Sequence, residues 1–180
     1  MNSEIIEHVL ENEGVFSDHE HDPGSKTIYG VASTSWPNWY RYIMEAYNQG
    51  DYIESQKRAI EFYQTEIASK RPFDRIEAKG LQALCFDMHV NHSFRGAGRT
   101  IQKALNFLAE GLRMNPLTED GWMGNKTVRR MNALNRRYGE AVVAGICGER
   151  YNYYKSLVQG NSNLKSFIRG WVRRTYPPQL

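Results

Sequence analysis

Residues 3–31 read SEIIEHVLENEGVFSDHEHDPGSKTIYGV, an acidic amphipathic segment that leads into a long polar stretch. Residues 3–14 are expected to form a helix, because Ser3 is a favoured N-cap and Gly14 a favoured end. Asp, Ser, Thr, Gly and Pro are frequent in residues 15–35, which predicts an irregular loop with room for a short β-hairpin around residues 26–31. Loops of this length in compact domains usually carry function.

The remaining chain divides into amphipathic segments with helical periodicity. Pro37 suits the first turn of a helix, and Pro72 ends a later one. Strand signals are weak, and there is no internal repeat or Pro/Ser linker. The predicted helices cover residues 37–48, 52–70, 75–90, 97–110, 125–146, 147–158 and 163–175. In the second of them, Ile53 is predicted on the apolar side. The pattern predicts an all-α fold in a single domain.

Composition excludes several classes of protein. The 180 residues are 41% hydrophobic and 24% charged, with a net charge of +3, a balance typical of globular proteins. No apolar run is long enough for a transmembrane helix, and we expect no secretory signal peptide. Cys85 and Cys147 lie in apolar surroundings and are expected to be reduced thiols.

The charges are unevenly distributed. Residues 1–24 hold seven acids and no Lys or Arg, whereas residues 121–180 hold eleven bases and two acids. The basic part indicates either a polyanionic partner, such as an acidic wall polymer or anionic lipid, or a solvated basic surface. Arg169, Arg173 and Arg174 form a basic amphipathic segment suited to an anionic membrane, with packing on the domain as the alternative. No nucleic-acid-binding motif is present, and no nucleic-acid partner is expected.

One glutamate of the first predicted helix differs from the others. At about 100° of rotation per residue, Glu13 falls in the middle of the apolar stripe. That stripe consists of Ile5, Ile6, Val9 and Leu10, and the opposite face carries Glu4, Glu7 and Glu11. Loss of hydration favours the neutral form of a carboxyl group, which is the form that a general acid needs. The alternative is that Glu13 caps the helix or forms an ion pair at its end.

Two further polar residues follow Glu13 at short spacing. Asp22 comes nine residues later and Thr27 five residues after that. A glycosidase needs one acid for the leaving oxygen and a second carboxylate on the other face of the sugar. A hydroxyl beside the second carboxylate can orient a water molecule. A helix end and its adjoining loop would therefore place all three groups around one bond.

These residues resemble the signature of glycoside hydrolase family 108. The matching motifs are E-N-E-G at residues 11–14, D-P-G at 22–24 and T-I-Y-G-V at 27–31. Downstream, F-D-M-H-V-N at residues 86–91 resembles a buried helix end of the family. D-G-W-M-G-N-K-T at residues 120–127 resembles a turn of its associated peptidoglycan-binding region.

The family contains phage endolysins and related muramidases, so the resemblance implies a lysozyme-like fold and host cell lysis. The bond cut would be the β-1,4 bond between N-acetylmuramic acid and N-acetylglucosamine of peptidoglycan. The resemblance further implies that Glu13 is the catalytic acid, Asp22 the partner carboxylate and Thr27 the water-orienting hydroxyl. It also implies that Tyr29 and Asn91 line the sugar cleft.

The expected domain spans residues 1–180, with a catalytic part at 1–90 and a peptidoglycan-binding-like helical part at 91–180 packed on it. No cofactor is expected, and peptidoglycan is the expected partner of a monomeric protein. In the absence of an export signal, we expect accumulation in the host cytoplasm and access to the wall after membrane permeabilisation by another factor. Two alternatives are a lytic transglycosylase acting on the same bond and a non-catalytic peptidoglycan-binding or secretion-activating protein.

Several other possible metal ligands and sugar-stacking residues are expected to have structural roles instead. Residues 19–22 (HEHD) are of the types that bind zinc, but we expect them to form a polar loop and predict no metal site there. His89 and His92 are expected to be hydrogen-bonded histidines rather than ligands. Trp36, Trp39 and Tyr40 are expected to pack rather than to stack on sugars, whereas Trp122, which lies in a turn, could do either.

Overall fold

The computed structural model describes residues 3–17 and 26–175, except for the side chains of Asn12 and Glu13. The chain forms two compact units, residues 1–70 and residues 71–180. The prediction of a single domain with a catalytic and a wall-binding part stays a prediction.

The first unit combines helices with a small antiparallel sheet. Its elements are α1 (Ser3–Glu13), β1 (Phe16–Ser17), β2 (Thr27–Ile28), β3 (Val31–Ala32), α2 (Pro37–Asn48) and α3 (Tyr52–Phe62). A π-helical turn at Tyr63–Ile67 and a 3₁₀ turn at Ala68–Lys70 continue α3. The helix α3 begins after Asp51, whose carboxylate accepts a hydrogen bond from the Glu54 amide at 3.0 Å. This is an ordinary N-cap that stabilises the first turn.

An aromatic cluster forms part of the core of this unit. Phe62 is buried and contacts Trp36, Trp39 and Tyr63 edge-to-face, with ring centroids 5.2, 5.7 and 4.9 Å apart. The Trp39 indole N–H also donates to Glu66 at 3.3 Å. The geometry is the one aromatic rings prefer in protein cores, and it agrees with the packing interpretation of both tryptophans.

The second unit is helical throughout its described elements. They are α4 (Lys79–Asn91), α5 (Phe94–Leu108), α6 (Asn125–Tyr138), α7 (Ala141–Gly160) and α8 (Ile168–Arg173), with 3₁₀ turns at Phe73–Arg75 and Ser162–Phe167. α7 packs closely on α5. A methyl group added at Gly145 would lie 2.9 Å from Cδ1 of Leu108, so this contact favours glycine.

The predicted boundary between the last long helices is wrong. A single helix over residues 125–146 was expected, but α6 ends at Tyr138 because Gly139 has a φ of +56°. The helix α7 then runs through Gly145 and Gly148 without interruption. Packing of Gly145 against α5 offsets its poor intrinsic helix propensity.

The predicted all-α class with a short hairpin after the first helix is confirmed. Within the part of the chain that the structure describes, none of the helices has the length and apolarity needed to cross a membrane.

Candidate functional site

The helix α1 has the buried face that the sequence predicted. Its four apolar side chains are between 0% and 3% exposed, and they are Ile5, Ile6, Val9 and Leu10. Glu7 and Glu11 are exposed on the other side. The helix ends at Glu13, and Gly14 follows with a φ of +73°. The Glu13 side chain and all of Asp22 lie outside the described residues, so their roles stay predictions.

The sheet places Thr27 beside the chain that leaves α1. β1 begins three residues after Glu13 and pairs antiparallel with β2, so that Ser17 lies opposite Thr27. On its other side Thr27 lies opposite Ala32 of β3. Thr27 therefore sits on the central strand, half-buried, in the segment that adjoins the end of α1.

Tyr29 has an unusual backbone conformation. Its φ is +47°, and Gly30 follows with a φ of +77°. Two consecutive positive φ values are typical of the type I′ turn that joins two-residue hairpins, here between Ile28 and Val31. A tyrosine in this region costs on the order of 1–3 kcal/mol and persists only where its surroundings hold it.

Two hydrogen bonds hold this turn. The Tyr63 hydroxyl donates to the Tyr29 carbonyl oxygen at 2.8 Å, and the Tyr29 amide donates to the Val15 carbonyl oxygen at 2.8 Å. Tyr29 is 8% exposed. The predicted sugar-lining residue is thus largely buried, its backbone is held in a strained turn, and its role toward sugar stays a prediction.

A small apolar groove of about 330 Å³ adjoins the end of α1. It is lined by Leu10, Glu11, Gly14, Val15, Tyr29, Tyr52, Ile53 and Gln56. Ile53 was predicted to lie on the buried side of its helix, but it is 72% exposed. It lies in the first turn of α3, and its side chain forms the rim of this groove instead of the core.

Asn91, the other predicted sugar-lining residue, belongs to the second unit. Its side-chain amide donates to the carbonyl oxygen and to Oδ1 of Asp87, both at 3.0 Å. Asp87 in turn forms an ion pair with Arg150 at 2.6 Å and lies 3.9 Å from Arg174. The amide protons of Asn91 therefore orient a buried carboxylate, while its role toward sugar stays a prediction.

The basic C-terminal segment packs on α7. Trp171 stacks on Tyr154 with ring centroids 5.2 Å apart and an interplanar angle of 17°. The Arg174 carbonyl oxygen accepts a hydrogen bond from the Arg150 guanidinium at 2.5 Å. Arg169 and Arg173 are exposed. Membrane contact through this segment stays a prediction.

The two predicted hydrogen-bonded histidines differ. Nδ1 of His89 lies 2.7 Å from the Cys85 carbonyl oxygen, a distance that assigns the proton to this nitrogen. The prediction is wrong for His92, since neither of its buried ring nitrogens has a hydrogen-bond partner among the described residues. The ring stacks on Tyr153 instead, at 4.5 Å. Burial lowers the pKa of His89 to about 4 and that of His92 to about 3.

Metal binding was not predicted, and the HEHD segment at residues 19–22 lies outside the described residues. In residues 3–17 and 26–175, no group of three or more His, Cys, Asp or Glu side chains is placed to hold a metal ion. Both cysteines are free thiols, and burial raises the pKa of the Cys85 and Cys147 thiols.

Comparison with known families agrees with the motifs. Residues 6–93 match the family model described as Glycosyl hydrolase 108, and residues 97–176 match the one described as Predicted Peptidoglycan domain. The resemblance to family 108 is thereby confirmed, and the chain is of a hydrolase type that acts on peptidoglycan.

A solved structure gives a likeness over nearly the whole chain. The structure of SagA from Brucella abortus superposes with a TM-score of 0.66 at 19% identity, covering 96% of this chain and 88% of that one. At this identity the likeness shows a shared fold. A search of the curated proteins found no match.

Proposed function

We propose that this chain is a muramidase. Its residues 6–93 match the Glycosyl hydrolase 108 family model, and its residues 97–176 match the model of a predicted peptidoglycan domain. It hydrolyses the β-1,4 bond between N-acetylmuramic acid and N-acetylglucosamine. The family match over the first region, with its acidic motif at the end of α1, is the observation that carries the proposal.

In the proposed mechanism Glu13 protonates the glycosidic oxygen as the bond to the anomeric carbon breaks. Asp22 stabilises the positive charge that develops at that carbon, or removes a proton from the attacking water. Thr27 orients this water. The position of Thr27 on β2, which pairs with the strand following α1, supports its place beside Glu13.

The position that helical periodicity predicts for Glu13 supports its role as the acid. α1 buries its apolar face completely, and Glu13 is the glutamate that the helical periodicity assigns to that face. A carboxyl beside apolar surface is favoured in its neutral form and is suited to donate a proton. We further propose that the protein is an endolysin that accumulates in the host cytoplasm and lyses the cell after a separate factor opens the membrane.

The test compares wild type with Glu13→Gln on purified peptidoglycan. Loss of the general acid should reduce hydrolysis at least about a hundredfold. Glu7→Gln is the matched control, because Glu7 is an exposed glutamate on the opposite face of the same helix. New reducing ends are measured, and the released fragments are identified by mass spectrometry.

The products separate the alternatives. Fragments that end in reducing N-acetylmuramic acid, released by wild type and Glu7→Gln but not by Glu13→Gln, support the muramidase. Anhydro-sugar ends would identify a lytic transglycosylase. No products from any of the three proteins would favour a peptidoglycan-binding protein without catalysis, and equal activity of all three would refute the role of Glu13.

A further inference from the structure

The second unit contains an open groove of about 870 Å³ beside the turn that precedes α6. We call it the Trp122 groove. It is lined by Trp122, Asn125, Lys126, Arg129, Arg130 and the segment 114–118, among others. The turn corresponds to the D-G-W-M-G motif, in which the sequence alone left Trp122 open between packing and stacking on a sugar.

The turn is held rigidly against α5. A methyl group added at Gly98 would lie only 2.0 Å from the Gly121 carbonyl oxygen, so the two backbones are in direct contact. The Gln102 side chain accepts from the Gly121 amide at 2.8 Å and donates to Asp120 at 2.9 Å. The Asp120 carboxylate also accepts from the Trp122 amide at 2.8 Å. These hydrogen bonds hold the backbone on both sides of Trp122 in place.

Trp122 is exposed although its position is fixed. The residue is 61% exposed. The guanidinium carbon of Arg71 lies 4.0 Å from the centroid of its indole ring, a cation–π contact that orients the ring. A methyl group added at Gly124 would lie 3.1 Å from indole atoms Cδ1 and Nε1, so glycine leaves room for the ring. A large aromatic surface held in place and exposed to solvent is typical of a binding site.

The same groove is positively charged. Lys126 and Arg129 are exposed on α6, and Arg130 donates to the Asn115 carbonyl oxygen at 2.6 Å. Among the described residues that line the groove, Asp120 is the only acid, and its Oδ1 accepts both hydrogen bonds of the turn. The three basic side chains outnumber this one acid, so a net positive charge lies beside an aromatic surface.

We propose that the Trp122 groove binds an anionic muropeptide of the bacterial wall. A sugar ring packs on the exposed indole surface, since the apolar C–H groups of a pyranose match a flat aromatic ring. Carboxylates of the stem peptide lie at Lys126 and Arg129, where charge-assisted hydrogen bonds are available. The inference rests on the proposed function for its choice of ligand, but it assigns a binding site separate from Glu13.

The experiment measures sedimentation of the whole 180-residue chain with purified peptidoglycan sacculi. Trp122→Ala should weaken binding more than about tenfold, as expected for an aromatic anchor that the ligand covers on binding, and Trp122→Tyr should retain part of the affinity. Arg129→Gln should weaken binding about threefold at low salt, a loss typical of an exposed charge contact. The matched control is Arg137→Gln, the same charge change on the same helix outside the groove, and it should bind like wild type. Circular dichroism verifies that each variant is folded.

A second measurement identifies the ligand chemistry. Indole fluorescence is titrated with a soluble disaccharide–tetrapeptide, and with the same disaccharide after removal of its peptide. The first should bind and the second should bind more weakly. Binding to anionic phospholipid vesicles through Trp122, without binding to the muropeptide, would overturn the proposal. Equal losses of binding for Arg129→Gln and Arg137→Gln, with no loss for Trp122→Ala, would show that the protein binds sacculi only by nonspecific charge attraction. This result would also overturn the proposal.

Failure of this inference is distinguishable from failure of the proposed function, because sedimentation is repeated in the Glu13→Gln background. A chain with Glu13 intact that binds sacculi through Trp122 without hydrolysing them refutes the muramidase and does not affect the assignment of the groove. A chain that hydrolyses peptidoglycan while Trp122→Ala binds like wild type refutes the groove alone.

Discussion

The two units stabilise their interiors by different means. Apart from its tyrosines, the described part of the first unit contains a single buried polar side chain, that of Ser55. The described part of the second unit buries eight, which are Asp87, His89, His92, Thr100, Gln102, Thr127, Asn132 and Arg150. A buried polar group that loses its hydrogen-bond or ion-pair partner destabilises the folded state. Single substitutions should therefore have larger effects in the second unit than in the first.

The largest effect is expected at the ion pair between Asp87 and Arg150. Arg150 is 0% exposed, and the two groups approach to 2.6 Å. Asp87→Asn preserves the side-chain volume but leaves the guanidinium without a compensating charge. The free energy of unfolding should fall by about 3–5 kcal/mol, as measured by urea denaturation followed by circular dichroism.

A surface pair of the same length is the matched control. Arg136 and Glu77 also approach to 2.6 Å, but both side chains are more than half exposed. Glu77→Gln should change the free energy of unfolding by less than about 1 kcal/mol, because solvent screens the pair. Equal effects of the two substitutions would mean that burial does not determine the importance of these charges.

A smaller effect, dependent on pH, is expected at His92. Its pKa is lowered to about 3 by burial and by the nearby charge of Arg150. Between pH 6.5 and this value the unfolded chain binds a proton that the folded chain does not, so stability falls as the pH falls. His92→Phe retains the stacking surface toward Tyr153 and removes this proton uptake.

Acidification from pH 7 to pH 4.5 should therefore lower the free energy of unfolding by about 1–3 kcal/mol less in the variant than in wild type. Urea denaturation at both pH values measures this. His89, whose pKa is lowered to about 4 by burial, remains in the variant and should leave part of the pH dependence in place. Parallel pH profiles for wild type and variant would contradict the assignment.

Local sequence rules were sufficient for much of the fold. The apolar face of α1 followed from helical periodicity, and the bounds of α2 followed from Pro37 and Gly50. Such rules could not decide which glycine interrupts the helices after residue 125. Gly139 and Gly145 are equally poor helix formers, and contact with Leu108 on another helix keeps Gly145 helical.

For the site, the sequence predicted which residues could carry the chemistry but not the tertiary contacts that hold such residues in place. The pairing of Asp87 with Arg150 joins residues far apart in the chain, so that no local pattern signals it. The Trp122 groove had one visible signal, a tryptophan within a glycine-bounded turn. Its rigidity depends on Gln102 and Arg71, whose contacts exist only in the folded unit.

The smallest effect is expected in the first unit, at the hydrogen bond from Tyr63 to the carbonyl oxygen of Tyr29. Tyr63→Phe keeps the ring in its contact with Phe62 but leaves a carbonyl of a strained turn without this donor. The free energy of unfolding should fall by about 1–2 kcal/mol, measured by urea denaturation. Tyr52→Phe is the control, since Tyr52 is 59% exposed and its change should stay within about 0.5 kcal/mol. A loss at Tyr63 as large as that at Asp87 would contradict the contrast between the units, because it would show that one neutral hydrogen bond in an apolar interior is as critical as a buried charge pair.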